Sequence, residues 1–286
     1  MTIISKFAPL VLFYIMLCVG MSTNIKNFVE VFKNLKNLLI GLTIQIIILP
    51  FIGILFAILG TSDPVIKVGI ILIMCMPSAV TSNYVTKLAN GNVALSVTLT
   101  AITASLSFIT IPFIFIVVCP ILISESIVLQ SLDFKQMSLS LLFMTTIPVF
   151  IGIFINTKFH IFIKKINKFF SYSSLFLFLL IVIAAWISEW LHVVDLYKRI
   201  GVLIVLLSVV ILITVNFLVN IFKLSLENKR TIIIETFIQN GAMAILIGEL
   251  TLGFGSGYMT IAAIYALFQY KVLCAWWLKN KFTSSI

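Results

Sequence analysis

Long runs of apolar residues alternate with short polar segments along the whole chain. The runs are continuous rather than alternating in polarity, which favours helices over the strands of a membrane barrel. A bilayer core about 30 Å thick requires about 20 apolar residues in a helix. By that measure we predict nine membrane-spanning helices, at residues 5–22, 37–60, 65–88, 93–118, 137–156, 171–191, 200–223, 230–250 and 256–278.

The composition points to the same class of protein. Of the 286 residues, 62% are hydrophobic and 10% are charged, against about 25% charged in ordinary soluble domains. So few charged side chains cannot cover a soluble protein of this size, which excludes a soluble enzyme, a disordered chain and a nucleic-acid-binding domain. The predicted fold class is an all-α integral membrane protein. The sequence shows neither a nucleophile–base pair nor a nucleotide-binding loop, so we do not expect an enzyme.

The basic residues predict the orientation. With the N-terminus outside, thirteen Lys and Arg residues fall on inner segments and five on or near outer ones, as the positive-inside rule requires. We expect a multi-pass protein of the cell membrane, with its N-terminus outside and its C-terminus in the cytoplasm. The first span could instead be a signal peptide, since Lys6 precedes a short apolar run, but no small-residue cleavage site follows it.

The third predicted span contains an interruption. Pro77 lacks a backbone donor and is followed at once by a polar run that ends at Ser82 and Asn83. Such a segment is typical of two half-helices joined by unwound chain. A simple proline kink, whose free carbonyls are satisfied by neighbouring hydroxyls, is the alternative.

The eighth predicted span carries Glu235 well inside an apolar run, four residues before Gln239 and close to Asn240-Gly241, where a helix can break. A carboxylate at the bilayer centre costs about 2.5–3.5 kcal/mol, so it must be protonated, paired or bound to a cation. A protonated Glu that only holds helices together is the alternative. An interrupted span in each half of the chain indicates a secondary transporter with inverted repeats.

Further neutral oxygens lie in other spans. Ser96 and Thr100 share a face of the fourth span, and Gln45 lies inside the second. Hydroxyl residues also serve close helix packing, which is their alternative role. Together with one acid, these groups are suited to replace the water around a bare monovalent cation.

At these residues the sequence resembles the bile acid:sodium symporter family. The first block runs from Pro77 through Ser82-Asn83 and the segment 88–97 to Thr100, and the second is Glu235-Thr236-Phe237-Ile238-Gln239-Asn240, similar to the family's Glu-x-Gly-x-Gln-Asn motif. The chain departs from the family at Ser78 and Ala79, where two glycines are usual. The resemblance implies a single membrane domain, 1–286, in which the two broken helices cross at mid-membrane. A core would hold 37–60, 65–88, 93–118, 200–223, 230–250 and 256–278, and a panel 5–22, 137–156 and 171–191.

The resemblance also implies the binding residues. One sodium ion would be bound by Ser82, Asn83, Ser96, Thr100 and Glu235. A second would be bound by Gln45, Glu235, Gln239 and the carbonyls of Thr236 and Ile238. The substrate would meet Asn240, Val80, Thr81, Gln269 and Tyr270, although Gln269-Tyr270 stands where some relatives carry His-Asn.

The predicted function is sodium-coupled symport of an organic anion, bile-acid-like, pantoate-like or a 2-keto acid, across the plasma membrane by alternating access. Its partners would be that anion, sodium ions and the lipid bilayer, with no nucleic acid, no cofactor beyond Na⁺ and a monomeric protein. One alternative is a proton-coupled efflux carrier of a metalloid or small anion, with Cys75 as a soft ligand. Another is a passive channel or a sensor.

Overall fold

A computed structural model describes residues 3–23, 25–122, 134–188, 190–252 and 258–283. Within these ranges the chain is helical throughout, apart from short connections and one isolated β-bridge. The helices are α1 (Ile3–Ser22), α2 (Ile25–Lys33), α3 (Leu35–Thr43), α4 (Leu49–Leu59), α5 (Pro64–Met74), α6 (Val80–Leu88), α7 (Val93–Leu122), α8 (Phe134–Leu141), α9 (Ile147–Lys158), α10 (His160–Ser188), α11 (Trp190–Ile221), α12 (Leu226–Phe237), α13 (Gly241–Leu252) and α14 (Tyr258–Thr283).

The structure has the character of a multi-pass membrane protein. Large apolar side chains such as Leu59, Phe113 and Val202 are exposed along the rods, far beyond what a soluble protein presents to water. Four helical rods in the described part of the chain are long and apolar enough to cross a membrane: Leu35–Leu59, Val93–Leu122, Lys135–Lys158 and Val194–Ile221.

Helices lie in each of the nine predicted stretches, although residues 189 and 256–257 fall outside the described residues. The number of complete crossings and the inverted repeat remain predictions, as does the division into core and panel.

Two of the rods contain a π-helical turn. Ile44–Ile48 joins α3 to α4, and Leu142–Thr146 joins α8 to α9. A proline, Pro50 or Pro148, follows two residues after each turn. Proline removes a backbone donor from the helix, and a wider turn is one way to accommodate that loss. The first π turn contains Gln45, which is buried.

The third stretch is broken, as its sequence predicts. The side chain of Asp63 accepts a 2.9 Å hydrogen bond from the N–H of Val65 and so caps the start of α5. The helix ends at Met74, an extended segment passes through Pro77, and α6 begins at Val80. The eighth stretch is broken in the same way, between the end of α12 at Phe237 and the start of α13 at Gly241.

The first helix makes a close crossing with α9. A Cβ built on Gly20 would lie 2.1 Å from the carbonyl oxygen of Val149, and one built on Gly152 would lie 2.3 Å from that of Leu17. Small residues at a membrane-helix interface let the backbones approach this closely. Helix α10 also packs against α1, so the three predicted panel spans lie together.

Polar side-chain contacts fall at two ends of the bundle. At one end Arg199 lies 3.8 Å from Asp63. At the other, the amide of Asn156 donates to the carbonyl of Thr23 at 2.8 Å, and that of Asn92 donates to the side chain of Asn228 at 3.0 Å. Successive predicted spans cross the membrane in opposite directions, and this places Arg199 and Asp63 on one side and the other four residues on the opposite side. The second end is the one that the basic residues assign to the cytoplasm, and this orientation remains a prediction.

Candidate functional site

The two broken helices meet at their breaks. Ser78 and Gln239 form an isolated antiparallel bridge. The N–H of Ala79 donates to the carbonyl of Ile238 at 3.1 Å, and the N–H of Asn240 donates to the carbonyl of Pro77 at 2.9 Å. Unwound backbone inside a membrane protein must find such partners, because lipid offers none. The bridge therefore fixes the two unwound segments against one another.

Four helix ends converge at this crossing. Helices α6 and α13 begin there, so that their positive ends face the crossing, while α5 and α12 end there. The side chain of Asn240 caps α13 by accepting a 3.0 Å hydrogen bond from the N–H of Met243. The positive ends favour an anion, and the carbonyls at the negative ends favour a cation.

The carboxylate of Glu235 lies one turn before the second break and is fully buried. Ser82 and Ser96 place their hydroxyl oxygens within hydrogen-bond distance of its Oε1. Ser78 and Thr100 do the same at Oε2, with Thr100 at 2.8 Å. The side chains come from both broken helices and from α7, so this carboxylate joins three elements.

The cluster holds more oxygen contacts than its hydroxyl hydrogens can serve. Beyond the four contacts to the carboxylate, the same hydroxyls approach the carbonyls of Ala79 and Ser96, the side-chain oxygen of Asn83 and each other, which makes eight oxygen–oxygen contacts. Each Ser or Thr hydroxyl supplies one hydrogen. Four hydrogens therefore serve eight contacts, and such an excess of electron-rich oxygen is suited to a cation.

No basic side chain in the described part of the chain neutralises this carboxylate. The described ion pairs join Arg199 to Asp63 and to Asp195, and these groups are partly or largely exposed. A buried carboxylate without a positive partner is costly unless it takes up a proton or a cation. The excess of oxygen contacts and the unpaired charge of Glu235 are thus both relieved when a cation binds at this site.

A second group of buried oxygens lies beside the crossing. Both side-chain atoms of the Gln45 amide lack a hydrogen-bond partner, as do the hydroxyl of Thr236 and the side-chain oxygen of Gln239. Unpaired buried polar groups are rare and require an explanation. Gln45 lines a cavity of about 10 Å³ together with Pro77 from the first break, room for about one water-sized particle. The carbonyl of Ile238 accepts from Ala79 and retains a second lone pair.

The predicted substrate residues fall into two groups. Val80, Thr81 and Asn240 line a small cavity at the crossing. Gln269 is fully buried, and its amide makes two hydrogen bonds to the backbone of Gln239, at 2.8 and 3.2 Å. The hydroxyl of Tyr270 lies 2.7 Å from that of Thr81. Gln269 and Tyr270 therefore support the crossing from α14, and their contact with a substrate remains a prediction.

A larger cleft of about 310 Å³ adjoins this small cavity. Val80, Tyr84 and Ser171 line both spaces, so the cleft reaches the crossing. It lies between α1 and α10 on one side and α6 and α7 on the other. Its remaining lining residues are Ser22, Asn83, Lys87, Val93, Val97, Lys168 and Tyr172.

The five residues predicted for the first sodium ion lie together, but the sequence interpretation missed Ser78. It treated Ser78 as a departure from the family's glycine, whereas the hydroxyl belongs to the Glu235 cluster. Its place directly after Pro77, inside the unwound segment, was the available signal. The two lysines of the cleft, Lys87 and Lys168, were counted for orientation alone.

The profile of a family described as the Sodium Bile acid symporter family matches residues 9–196. This range includes the first broken helix but ends before Glu235. The chain is 29% identical over 160 residues to "Probable sodium/metabolite cotransporter BASS6, chloroplastic" of Arabidopsis thaliana, covering 54% of this chain and 37% of that protein.

It is 32% identical over 143 residues to "Probable sodium/metabolite cotransporter BASS3, chloroplastic" of Oryza sativa subsp. japonica, covering 50% of this chain and 32% of that protein. It is 33% identical over 115 residues to "Uncharacterized sodium-dependent transporter YocS" of Bacillus subtilis (strain 168), covering 40% of this chain and 35% of that protein. The chain thus spans about a third of the length of each of these relatives.

Proposed function

The chain belongs to the sodium bile acid symporter family, and we propose that it couples the movement of sodium to the uptake of a small organic anion across a membrane. The observation that carries this proposal is the buried Glu235 carboxylate, around which eight oxygen contacts share four hydroxyl hydrogens. Oxygen ligands of this kind suit a hard cation. The names of the relatives, which describe sodium-dependent transport, support sodium as that cation.

One sodium ion is held by Glu235 with Ser82, Asn83, Ser96 and Thr100. A second is held beside the crossing by Gln45, Glu235 and Gln239 with the carbonyls of Thr236 and Ile238. The unpaired side-chain atoms of Gln45 and Gln239 support this assignment. The first ion stabilises the paired breaks, because its ligands come from both broken helices. The second joins the break after α12 to the π turn at Gln45. The ordered crossing then presents the first turns of α6 and α13 to the anion.

Transport follows from a difference in affinity between states. A ligand shifts a conformational equilibrium only by its differential affinity for the two states. Sodium must therefore bind the crossing more tightly in the state that receives the anion. The cleft separates α1 and α10 of the panel from α6 and α7 of the core. Core and panel move along this surface to expose the anion on the other side of the membrane. Which acid is carried is tested by screening organic anions for sodium-dependent thermal stabilisation.

The decisive experiment measures uptake of organic acids into vesicles that contain the purified protein. We expect uptake to require a sodium gradient and to fail when choline replaces sodium. Glu235→Ala should abolish the sodium-dependent part while the protein still inserts. Uptake by Glu235→Ala that keeps its sodium dependence would disprove the ligand assignment. Uptake that follows a proton gradient in choline would instead support the proton-coupled alternative, which the names of the relatives do not favour.

A further inference from the structure

The cleft beside the crossing is lined by two basic side chains and by no acidic one among the described residues. Lys87 comes from the last turn of α6, and Lys168 comes from α10. Neither lysine side chain has an ion pair or hydrogen bond with another described residue. Asn83, Tyr84 and Tyr172 add polar groups that can donate hydrogen bonds. The lining is therefore complementary to negative charge.

The positive-inside rule explains why lysines occur at this end of the bundle. It does not explain why two of them, from separate helices on opposite sides of the cleft, face the same space. Lys164 and Lys165 obey the same rule on α10, are exposed, and do not line the cleft. They therefore provide matched controls for the two cleft lysines.

The cleft and the small cavity that adjoins it contain two places that favour an anion. One is the crossing, where α6 begins at Val80 and α13 at Gly241. The other is formed by Lys87 and Lys168. Seven residues of helix separate Val80 from Lys87, a rise of about 10 Å. Because side chains on a helix lean toward its N-terminus, the Lys87 ammonium can lie closer to the crossing than this rise. A short carbon chain with an acid group at either end can therefore reach both places.

We propose that the transported anion is a small dicarboxylate, with one carboxylate at the crossing and the second between Lys87 and Lys168. This inference rests on the proposed function and narrows its substrate class. The cleft volume of about 310 Å³ lies at the small end of the range for ligand sites, about 300–1,000 Å³. A short diacid fits that space better than a four-ring steroid. The second carboxylate also links α6 to α10 across the cleft.

The test compares acids that differ in one carboxylate. Purified protein in sodium is titrated with 2-oxoglutarate and 2-oxopentanoate, and with succinate and butyrate, and binding is followed by thermal stabilisation. We expect the diacid of at least one pair to bind about tenfold more tightly than its monoacid partner, a difference of about 1.4 kcal/mol. Lys87→Gln and Lys168→Gln should each remove most of that preference. Lys164→Gln should retain it.

Equal binding of both members in each pair, or binding of none of the four acids, overturns the dicarboxylate assignment. A preference for the diacid that survives in both Lys87→Gln and Lys168→Gln overturns the role of the lysines. The proposed function fails separately. Sodium-dependent uptake of monocarboxylates alone would uphold sodium symport while rejecting this inference, and diacid uptake without any sodium requirement would reject the symport.

Discussion

Ser78 and Glu235 lie 157 residues apart in the sequence, yet the hydroxyl of Ser78 hydrogen-bonds to the Glu235 carboxylate. The backbone of Ser78 also pairs with Gln239, four residues beyond that carboxylate. One residue thus joins the broken helices twice, through its backbone at the crossing and through its side chain at the acid. The hydroxyl additionally lies 2.9 Å from that of Thr100 on α7.

Ser78→Ala should weaken sodium binding. The change removes one of four hydroxyls from the carboxylate and leaves the backbone bridge in place. The Ser78 oxygen lies beside the carboxylate and can act there as a further oxygen ligand of the cation. A loss of about 1.4 kcal/mol of that interaction means that roughly tenfold more sodium is needed for half-maximal thermal stabilisation. Ser107→Ala is the control, because Ser107 is equally buried but contacts Ala104 and Thr145 instead. An unchanged sodium midpoint in Ser78→Ala would remove Ser78 from the site.

Replacing Glu235 by Gln tests the shortage of hydrogens in the cluster. The amide adds two hydrogens and removes the charge, so it can satisfy contacts that otherwise require a cation. We expect Glu235→Gln to unfold at a higher temperature than the unaltered protein when both are in choline, and to gain nothing from sodium. Calorimetry or dye-based unfolding in the two salts measures both effects. Continued stabilisation by sodium would show that the cation binds elsewhere.

The sequence indicates the crossing through local signals and misses what depends on distant packing. Pro77 before a polar run and Asn240-Gly241 after a buried acid mark both breaks, because backbone chemistry is local. Pro50 is a local signal for the π turn at Gln45, but the unpaired burial of the Gln45 amide depends on packing between distant segments. The sequence does not indicate that Gln269 bonds to the backbone of Gln239, 30 residues away. The facing of Lys87 and Lys168 depends on how α6 meets α10, which hydropathy does not specify.

Gln45→Leu should raise stability without sodium and reduce the gain that sodium gives. The Gln45 amide is buried with both polar atoms unpaired, and such a group costs about 1–3 kcal/mol. Leucine removes that cost and also removes the proposed oxygen ligand. Asn156→Leu is the matched contrast, since the buried Asn156 amide donates to Thr23 at 2.8 Å and its loss should lower stability.

The measurement for Gln45→Leu is the unfolding temperature in choline and across a sodium titration. We expect a higher value in choline and a shallower rise with sodium than in the unaltered protein. Lower stability in choline together with an undiminished sodium response would contradict both the unpaired state of Gln45 and its role as a ligand.

Gly152→Ala should separate α1 from α9. The new Cβ would lie 2.3 Å from the carbonyl oxygen of Leu17 and 2.7 Å from the amide nitrogen of Met21, both backbone atoms that cannot turn away. Overpacking of this kind costs about 1–3 kcal/mol, so the purified protein should unfold at a lower temperature. Gly201→Ala is the control, because its Cβ would meet nothing nearer than the Tyr197 ring at 3.6 Å. Since alanine favours a helix over glycine by about 1 kcal/mol, that variant should be at least as stable as the unaltered protein. Equal stability of the two variants would mean that α1 and α9 do not cross at Gly20 and Gly152.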